Sequence, residues 1–309
     1  MPTSTSSEPV ETVGDGGPSI AEVALEPSPD IAADAVTPAG GRRSARSRRR
    51  RRALGLVVPV FLLGVWWLCS ARGIISTKLL PTPWKVAEAA WDFVAGSRVD
   101  SLAGVVPFSG AAPEHLSASI LRWLSGYGIA VVVGLTIGLG IGLSRLVADL
   151  VDPLVQALRA IPIFAWLPLA LVWFGLGEGA ARYLVFIGAV SPILIATADS
   201  VSRVPASYVE TALMLGTRRR ALPRRVYLPA ALPGIVTGLR LGLTLGWMSV
   251  IVGELTGTQT GIGAMMNAAR EGGRLDQILV GMLCFAVVGL LGDILLRAAS
   301  RPFVAWSDR

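Results

Sequence analysis

Six stretches of the chain are long and apolar enough to predict membrane-spanning helices: 53–70, 119–143, 160–176, 180–198, 230–255 and 277–297. Each approaches the length of about 20 mostly apolar residues that crosses a bilayer's hydrocarbon core as one helix. The third is the least regular. It contains Pro162 and Pro168 and follows Val151–Ile161, a more amphipathic piece with Asp152 and Arg159. Proline is tolerated in a span where neighbouring helices satisfy the freed carbonyls. The pattern predicts an all-α integral membrane fold of six spans.

Two of these spans carry small residues at every fourth position. Gly126, Ala130, Gly134, Gly138 and Gly142 line one face of the second; Ala230, Gly234, Gly238, Gly242 and Gly246 line one face of the fifth. A stripe without side chains lets helix backbones approach closely. Static packing and a sliding core both need such a surface, and spacing alone does not separate them.

Composition agrees with a membrane protein. Hydrophobic residues make up 52% of the chain and the mean hydropathy is +0.60, too apolar for a soluble globule. Aqueous chemistry has few candidates. The only histidine is His115, read as a solvated loop residue, and the only lysines are Lys78 and Lys85. No lysine follows a glycine, so the chain has no P-loop for ATP. One histidine and two cysteines do not build an ordinary zinc site or a thiol–imidazole pair. Cys69 and Cys284 lie in apolar runs and read as small hydrophobes. No catalytic, metal or cofactor residues are expected.

Charge divides the chain further. Residues 1–41 hold seven acidic residues and no lysine or arginine, and read as a disordered acidic tail. Residues 42–52 hold eight arginines, a basic anchor on the cytoplasmic side of the first span rather than a nucleic-acid-binding arm, since no aromatic or polar reader accompanies them. With the amino terminus inside, nineteen basic residues fall on cytoplasmic segments and seven on outer ones. That asymmetry predicts both termini in the cytoplasm and places 199–229 there too. Glu254 and Glu178 read as solvated acids at the outer edge, and Asp293 with Arg297 as a helix-end ion pair. Arg240, inside the fifth span, is expected to snorkel to the cytoplasm or to neutralise an acid such as Asp199.

The segment between the fourth and fifth spans is polar and structured where a short turn would suffice. Ser207-x-x-Glu210 reads as a capping box, and Val209, Ala212 and Leu213 then fall on one helix face. Gly216 is placed to end that helix in a left-handed turn. Arg218–Arg225 continue as a second short helix, kinked at Pro223. Local physics leaves two readings open: a surface helix held against anionic lipid, or a docking surface.

The spacing across this segment resembles a known family. Glu210-Thr211-Ala212, three residues, Gly216, nine residues, then Val226-x-Leu228-Pro229 is similar to the cytoplasmic loop motif of ABC-type importer permeases. It departs from that motif at Thr211 and Val226, where the family has alanine and isoleucine. Leu80–Pro83, Leu158–Pro162, Leu171–Glu178, Leu228–Arg240 and Gly253-Glu254 resemble permeases of the nitrate/sulfonate/taurine class. The likeness covers about 79–306, within a permease domain of 53–306. It implies a multi-pass permease in a prokaryotic plasma membrane, paired as a homodimer in the lipid. A separate ATP-binding subunit and an extracytoplasmic solute-binding protein would be its partners. It implies a small anionic solute, and a coupling helix at 206–226 in which Glu210, Ala212 and Gly216 contact the ATPase, with Leu228 and Pro229 closing the motif. Two other classes stay in view. An ion-coupled secondary transporter would want ionisable groups at mid-membrane, and a membrane scaffold would not need the Gly216 turn.

Overall fold

The structure, a computed structural model of the chain, describes residues 45–73, 76, 80–97 and 108–304. The chain divides into two compact units, 1–61 and 62–309. Of the first unit, only the opening of helix α1 (Ala45–Ala71) is described, so the acidic tail expected at 1–41 lies outside the described residues. The basic anchor is helical from Ala45 onward.

Every described element of the second unit is helical. After α1 come α2 (Pro83–Ala95), α3 (Ala112–Leu143) and α4 (Arg145–Arg159). A 3₁₀ turn (Ile163–Trp166) leads into α5 (Leu167–Phe174). Then follow α6 (Glu178–Ser202), α7 (Ala206–Met214), a 3₁₀ turn (Arg219–Ala221) and a π-helical turn (Pro223–Tyr227). Finally come α8 (Leu228–Leu255), α9 (Ile262–Glu271) and α10 (Leu275–Val304).

The structure bears out the all-α membrane fold and part of the expected six spans. Among the described residues, four helices are long and apolar enough to cross a membrane: α3, α6, α8 with the turns before it, and α10. The third expected span, 160–176, is not one helix. Arg145–Arg159 and Ile163–Phe174 meet at 95°, giving a fifth crossing only if the bent pair counts as one. Pro162 causes the break. It offers no N–H to the ladder and drives Ile161 away from the helical region. Pro168 then restarts the helix in the first turn of α5, where a missing N–H costs nothing. The first expected span, 53–70, lies within the 27-residue helix α1.

The core is organised around α6. Both glycine stripes face this one helix, and Ile193 lies against both. A Cβ on Gly138 of α3 would stand 2.7 Å from the Leu194 carbonyl oxygen and 2.8 Å from Thr197 Cβ. One on Gly134 would stand 2.9 Å from Ile193 Cγ2, and one on Gly142 2.6 Å from Val201 Cβ. From α8, a Cβ on Gly242 would stand 2.9 Å from the Ala189 carbonyl, and Gly234 and Gly238 lie against Ser200 and Ala196. Thr197 and Ser249, buried in these contacts, donate to the carbonyls four residues back (Ile193 and Leu245), each at 2.7 Å, and so expose no unpaired hydroxyl. Tryptophans tie the third layer. Trp123 Nε1 donates to Leu243 O at 3.1 Å, and Trp247 Nε1 donates to Phe285 O at 2.9 Å, linking α3, α8 and α10.

One further expectation changes. Arg240 donates to Asp293 of α10 at 3.0 Å, while Asp199 is taken by Arg203 at 2.7 Å. The expected Asp293–Arg297 pair is present at 2.5 Å, so Asp293 serves two arginines.

Gly138→Leu and Gly242→Leu are expected to lower the thermal unfolding midpoint of the purified protein, because each drives a side chain into α6 at a cost of about 1–3 kcal/mol. Gly128→Leu, on the same helix but with nothing within 4 Å, is the control and should leave the midpoint unchanged. Equal midpoints for all three variants would show that the stripes are not close contacts.

Candidate functional site

The segment 203–229 is built by its breakers. Pro205, with φ −59° and ψ 135°, sets the entry to α7 and stands at the N-cap. The expected capping box is therefore absent. Ser207 lies inside the first turn, where its carbonyl accepts the Thr211 hydroxyl at 2.7 Å, and no side chain caps the helix. Glu210 is exposed on α7 instead of folding back. At the other end the expected turn forms. Gly216 has φ +82°; its N–H donates to Leu213 O at 2.9 Å, and Thr217 N–H donates to Ala212 O at 2.9 Å. These two bonds close a Schellman turn, which needs the left-handed conformation that glycine adopts without strain. Ala212 thus enters through its carbonyl.

The second short helix is corrected as well. The chain makes one 3₁₀ turn and then a π-helical turn that runs straight into α8, with Leu228 N–H donating to Pro223 O. Leu228 and Pro229 begin the first turn of α8, on a different element from Glu210, Ala212 and Gly216. Val209, Ala212 and Leu213 form the half-buried face, as the spacing predicts. The tip is apolar and bare: Met214 and Leu215 are 86% and 81% exposed. Beside it Arg218, Arg219, Arg220, Arg224 and Arg225 are all exposed, and no acidic partner reaches them among the described residues. A bare apolar knob ringed by unpaired cations fits an acidic, concave protein surface better than water.

The opposite end of α6 and α8 holds a buried ionic cluster. Arg122 of α3, 1% exposed, donates through Nε to both carboxylate oxygens of Glu178 at 2.9 Å. Its Nη1 donates to Glu254 Oε1 and to Thr260 O, each at 2.6 Å, and its Nη2 to Glu178 and, at 3.0 Å, to Thr260 Oγ1. Every guanidinium N–H therefore has an acceptor, the condition under which a charge is stable inside a protein. Glu254, also 1% exposed, accepts from Ser119 Oγ at 2.7 Å and from Gly263 N–H at 2.8 Å. Ser119 Oγ in turn accepts Ile262 N–H at 2.9 Å. His115 Nδ1 lies 2.9 Å from the Gly261 carbonyl oxygen and 3.1 Å from its amide nitrogen. Gly261, at φ +122°, passes so close to Arg122 and Glu254 that a side chain there would collide with both.

His115 and Glu254 are thus buried rather than solvated, and Glu178 is half-buried in an ion pair. The signal that could have found them is their common level. The topology puts Arg122, Glu178 and Glu254 at the same end of three adjacent spans, where a basic residue between two acids marks a bridge.

Residues 130–303 match the family described as binding-protein-dependent transport system inner membrane component. The chain is similar to SsuC of Escherichia coli, a permease protein named for aliphatic sulfonates transport, with 35% identity covering 81% of this chain and 90% of that protein. The taurine transport system permease protein TauC of Escherichia coli is 33% identical over 83% of this chain and 90% of its own length. The nitrate import permease protein NrtB of Leptolyngbya laminosa is 31% identical over 86% and 95%. Among solved structures, a chain of the inward-facing MetNI methionine ABC transporter aligns at 21% identity and a TM-score of 0.45, over 58% of this chain and 93% of that one.

Removing Arg122 leaves Glu254 buried without its cation and Glu178 with only the half-exposed Arg182. Arg122→Ala is expected to cost about 3–5 kcal/mol and to lower the unfolding midpoint far more than Arg182→Ala, whose guanidinium is half exposed and makes an i,i+4 pair with Glu178 at 3.3 Å. Comparable midpoints for the two variants would contradict a structural role for the cluster.

Proposed function

This chain belongs to the family of binding-protein-dependent transport inner membrane components, and on that premise we propose that it moves a small anionic sulfonate-, taurine- or nitrate-like solute across the plasma membrane. It is the permease subunit of an ABC importer; ATP is hydrolysed on a separate subunit, and an extracytoplasmic solute-binding protein delivers the cargo. The names of the relatives support the solute class. The absence of a P-loop fits the division of labour. The working unit is a homodimer of this chain, with both termini in the cytoplasm, as the nineteen-to-seven basic asymmetry supports.

The observation that carries the reading is the 206–229 segment. Glu210, Ala212 and Gly216 shape a short helix and a left-handed turn, and the turn projects Met214 and Leu215 between five exposed arginines. We assign this surface to the ATP-binding subunit, with the apolar tip seated in its cleft and the arginines facing acidic residues around it. The segment joins α6 to α8 directly, so a displacement of the tip acts on both helices at once.

Gly216→Val tests the assignment. A β-branched residue resists positive φ, so the turn and the tip are misplaced while the spans remain. The variant should insert at wild-type levels, yet fail to retain the ATP-binding subunit in a pull-down and lose solute-stimulated ATP hydrolysis in the reconstituted complex. Normal association and normal stimulation would reject the coupling role and favour a scaffold without transport.

A further inference from the structure

Helix α2 has an outer face that neither the coupling segment nor the ionic cluster uses. Its inner face is settled: Val86, Ala89 and Phe93 are buried in a cluster with Ala112 of α3 and Val280 of α10. Phe93 also lies against His115, with ring centroids 6.2 Å apart. These contacts set α2 level with the first turns of two membrane spans, at the end of the fold that holds the Arg122 cluster. Upstream, Trp66 Nε1 donates to Pro81 O at 3.1 Å and ties the start of α2 to α1.

The outer face is divided lengthwise. At 100° per residue, Trp84 and Trp91 fall within about 20° of each other, opposite the buried face. Both are 72% exposed. Ala87 and Val94 lie about 60–80° to one side of this ridge, and Glu88, Asp92 and Lys85 about 40–100° to the other. Ala87 and Val94 are exposed, as are Lys85 and Glu88. A helix immersed in water has no reason to segregate the flanks of its exposed face, and a contiguous Trp84–Trp91–Val94 surface in water is an unfavourable patch. A helix lying at a membrane boundary requires this arrangement, with apolar residues toward the acyl chains, charged residues toward water, and tryptophan between them at the headgroups.

We infer that α2 lies along the membrane–water interface on the side opposite the coupling segment, its outer face covered by lipid, with Trp84 and Trp91 as headgroup anchors. On α1, beside the Trp66–Pro81 bond, Val65, Trp67 and Leu68 are also 41%, 61% and 43% exposed. The two ends of α2 are fixed by protein contacts, so anchoring it sets the height of the outer ends of α3 and α10 in the bilayer.

Spin labels test the placement. The full chain, assembled with its partner subunits in phosphatidylcholine–phosphatidylglycerol vesicles and carrying Cys69→Ser and Cys284→Ser, would receive single labels at Ala87→Cys, Val94→Cys, Glu88→Cys or Lys85→Cys. Collision with oxygen, which concentrates in the membrane, is compared with collision with a water-soluble nickel chelate. The ratio of oxygen to nickel accessibility should be severalfold higher at 87 and 94 than at 85 and 88. Equal ratios at all four positions overturn the inference. So does protection of 87 and 94 that arises only on adding the solute-binding protein, which would make this a protein-docking face. A second measurement keeps the native cysteines. Lipids brominated near the headgroup should quench the wild-type tryptophan fluorescence more strongly than that of Trp84→Phe/Trp91→Phe, and identical quenching contradicts the anchoring.

Discussion

Helices in a bilayer gain little from burying apolar surface against one another, because lipid tails are as apolar as leucine; their association depends on close contact and shared polar groups. The closest contacts here are those α6 makes with α3 on one side and α8 on the other. Gly134, Gly138 and Gly142 receive Ile193, Thr197 and Val201, while Gly238 and Gly242 receive Ala196 and Ile193 from the other side. Ile193 is fully buried between the two stripes. Without these glycines the backbones could not come near enough for the remaining contacts, including the Trp123 and Trp247 hydrogen bonds that bring in α8 and α10.

The two ends of α6 and α8 do different work. At one end, Glu178 and Glu254 converge on Arg122, which also holds the Thr260–Gly261 backbone and thereby the approach to α9. At the other end, α6 leads through Pro205 into α7, and α8 begins in the π turn that follows the arginines. The same two helices that carry the acids of the buried cluster therefore flank the exposed tip at Met214 and Leu215. On the proposed coupling role, movement of the tip reaches the Arg122 cluster along α6 and α8, through the break at Pro205 on one side and the 3₁₀ and π turns on the other. The cluster is fully hydrogen-bonded, which makes it a discrete joint rather than a compliant one.

Much of this was legible in the sequence, for identifiable reasons. The four-residue pitch of the glycines is a property of the helix surface, so it announces a close contact, although not that both stripes share α6. Gly216 was legible because a left-handed turn after an amphipathic helix favours glycine. The capping box at Ser207 was a wrong reading because Pro205 fixes the helix start two residues earlier, a backbone constraint that outweighs a side-chain preference. The break in the third span was missed because proline tolerance in membranes was applied to Pro162, where the chain turns by 95°. Arg122 was overlooked for a different reason. Its partners lie 56 and 132 residues away, so no local pattern links them, and an arginine near a span end looks like any other. For Arg240 an acid partner was foreseen but Asp199 was named, since Asp293 stands 53 residues on.

The proposed role of the Met214–Leu215 tip, carrying ATP hydrolysis into α6 and α8, can be tested with a photoreactive amino acid in place of Leu215, in the complex reconstituted with its ATP-binding subunit and solute-binding protein. The expected product is an adduct between residue 215 and the ATP-binding subunit, mapped by mass spectrometry to its cleft, with a yield that changes when ATP replaces ADP. An adduct formed only with lipid, or one whose yield ignores the nucleotide, would contradict it.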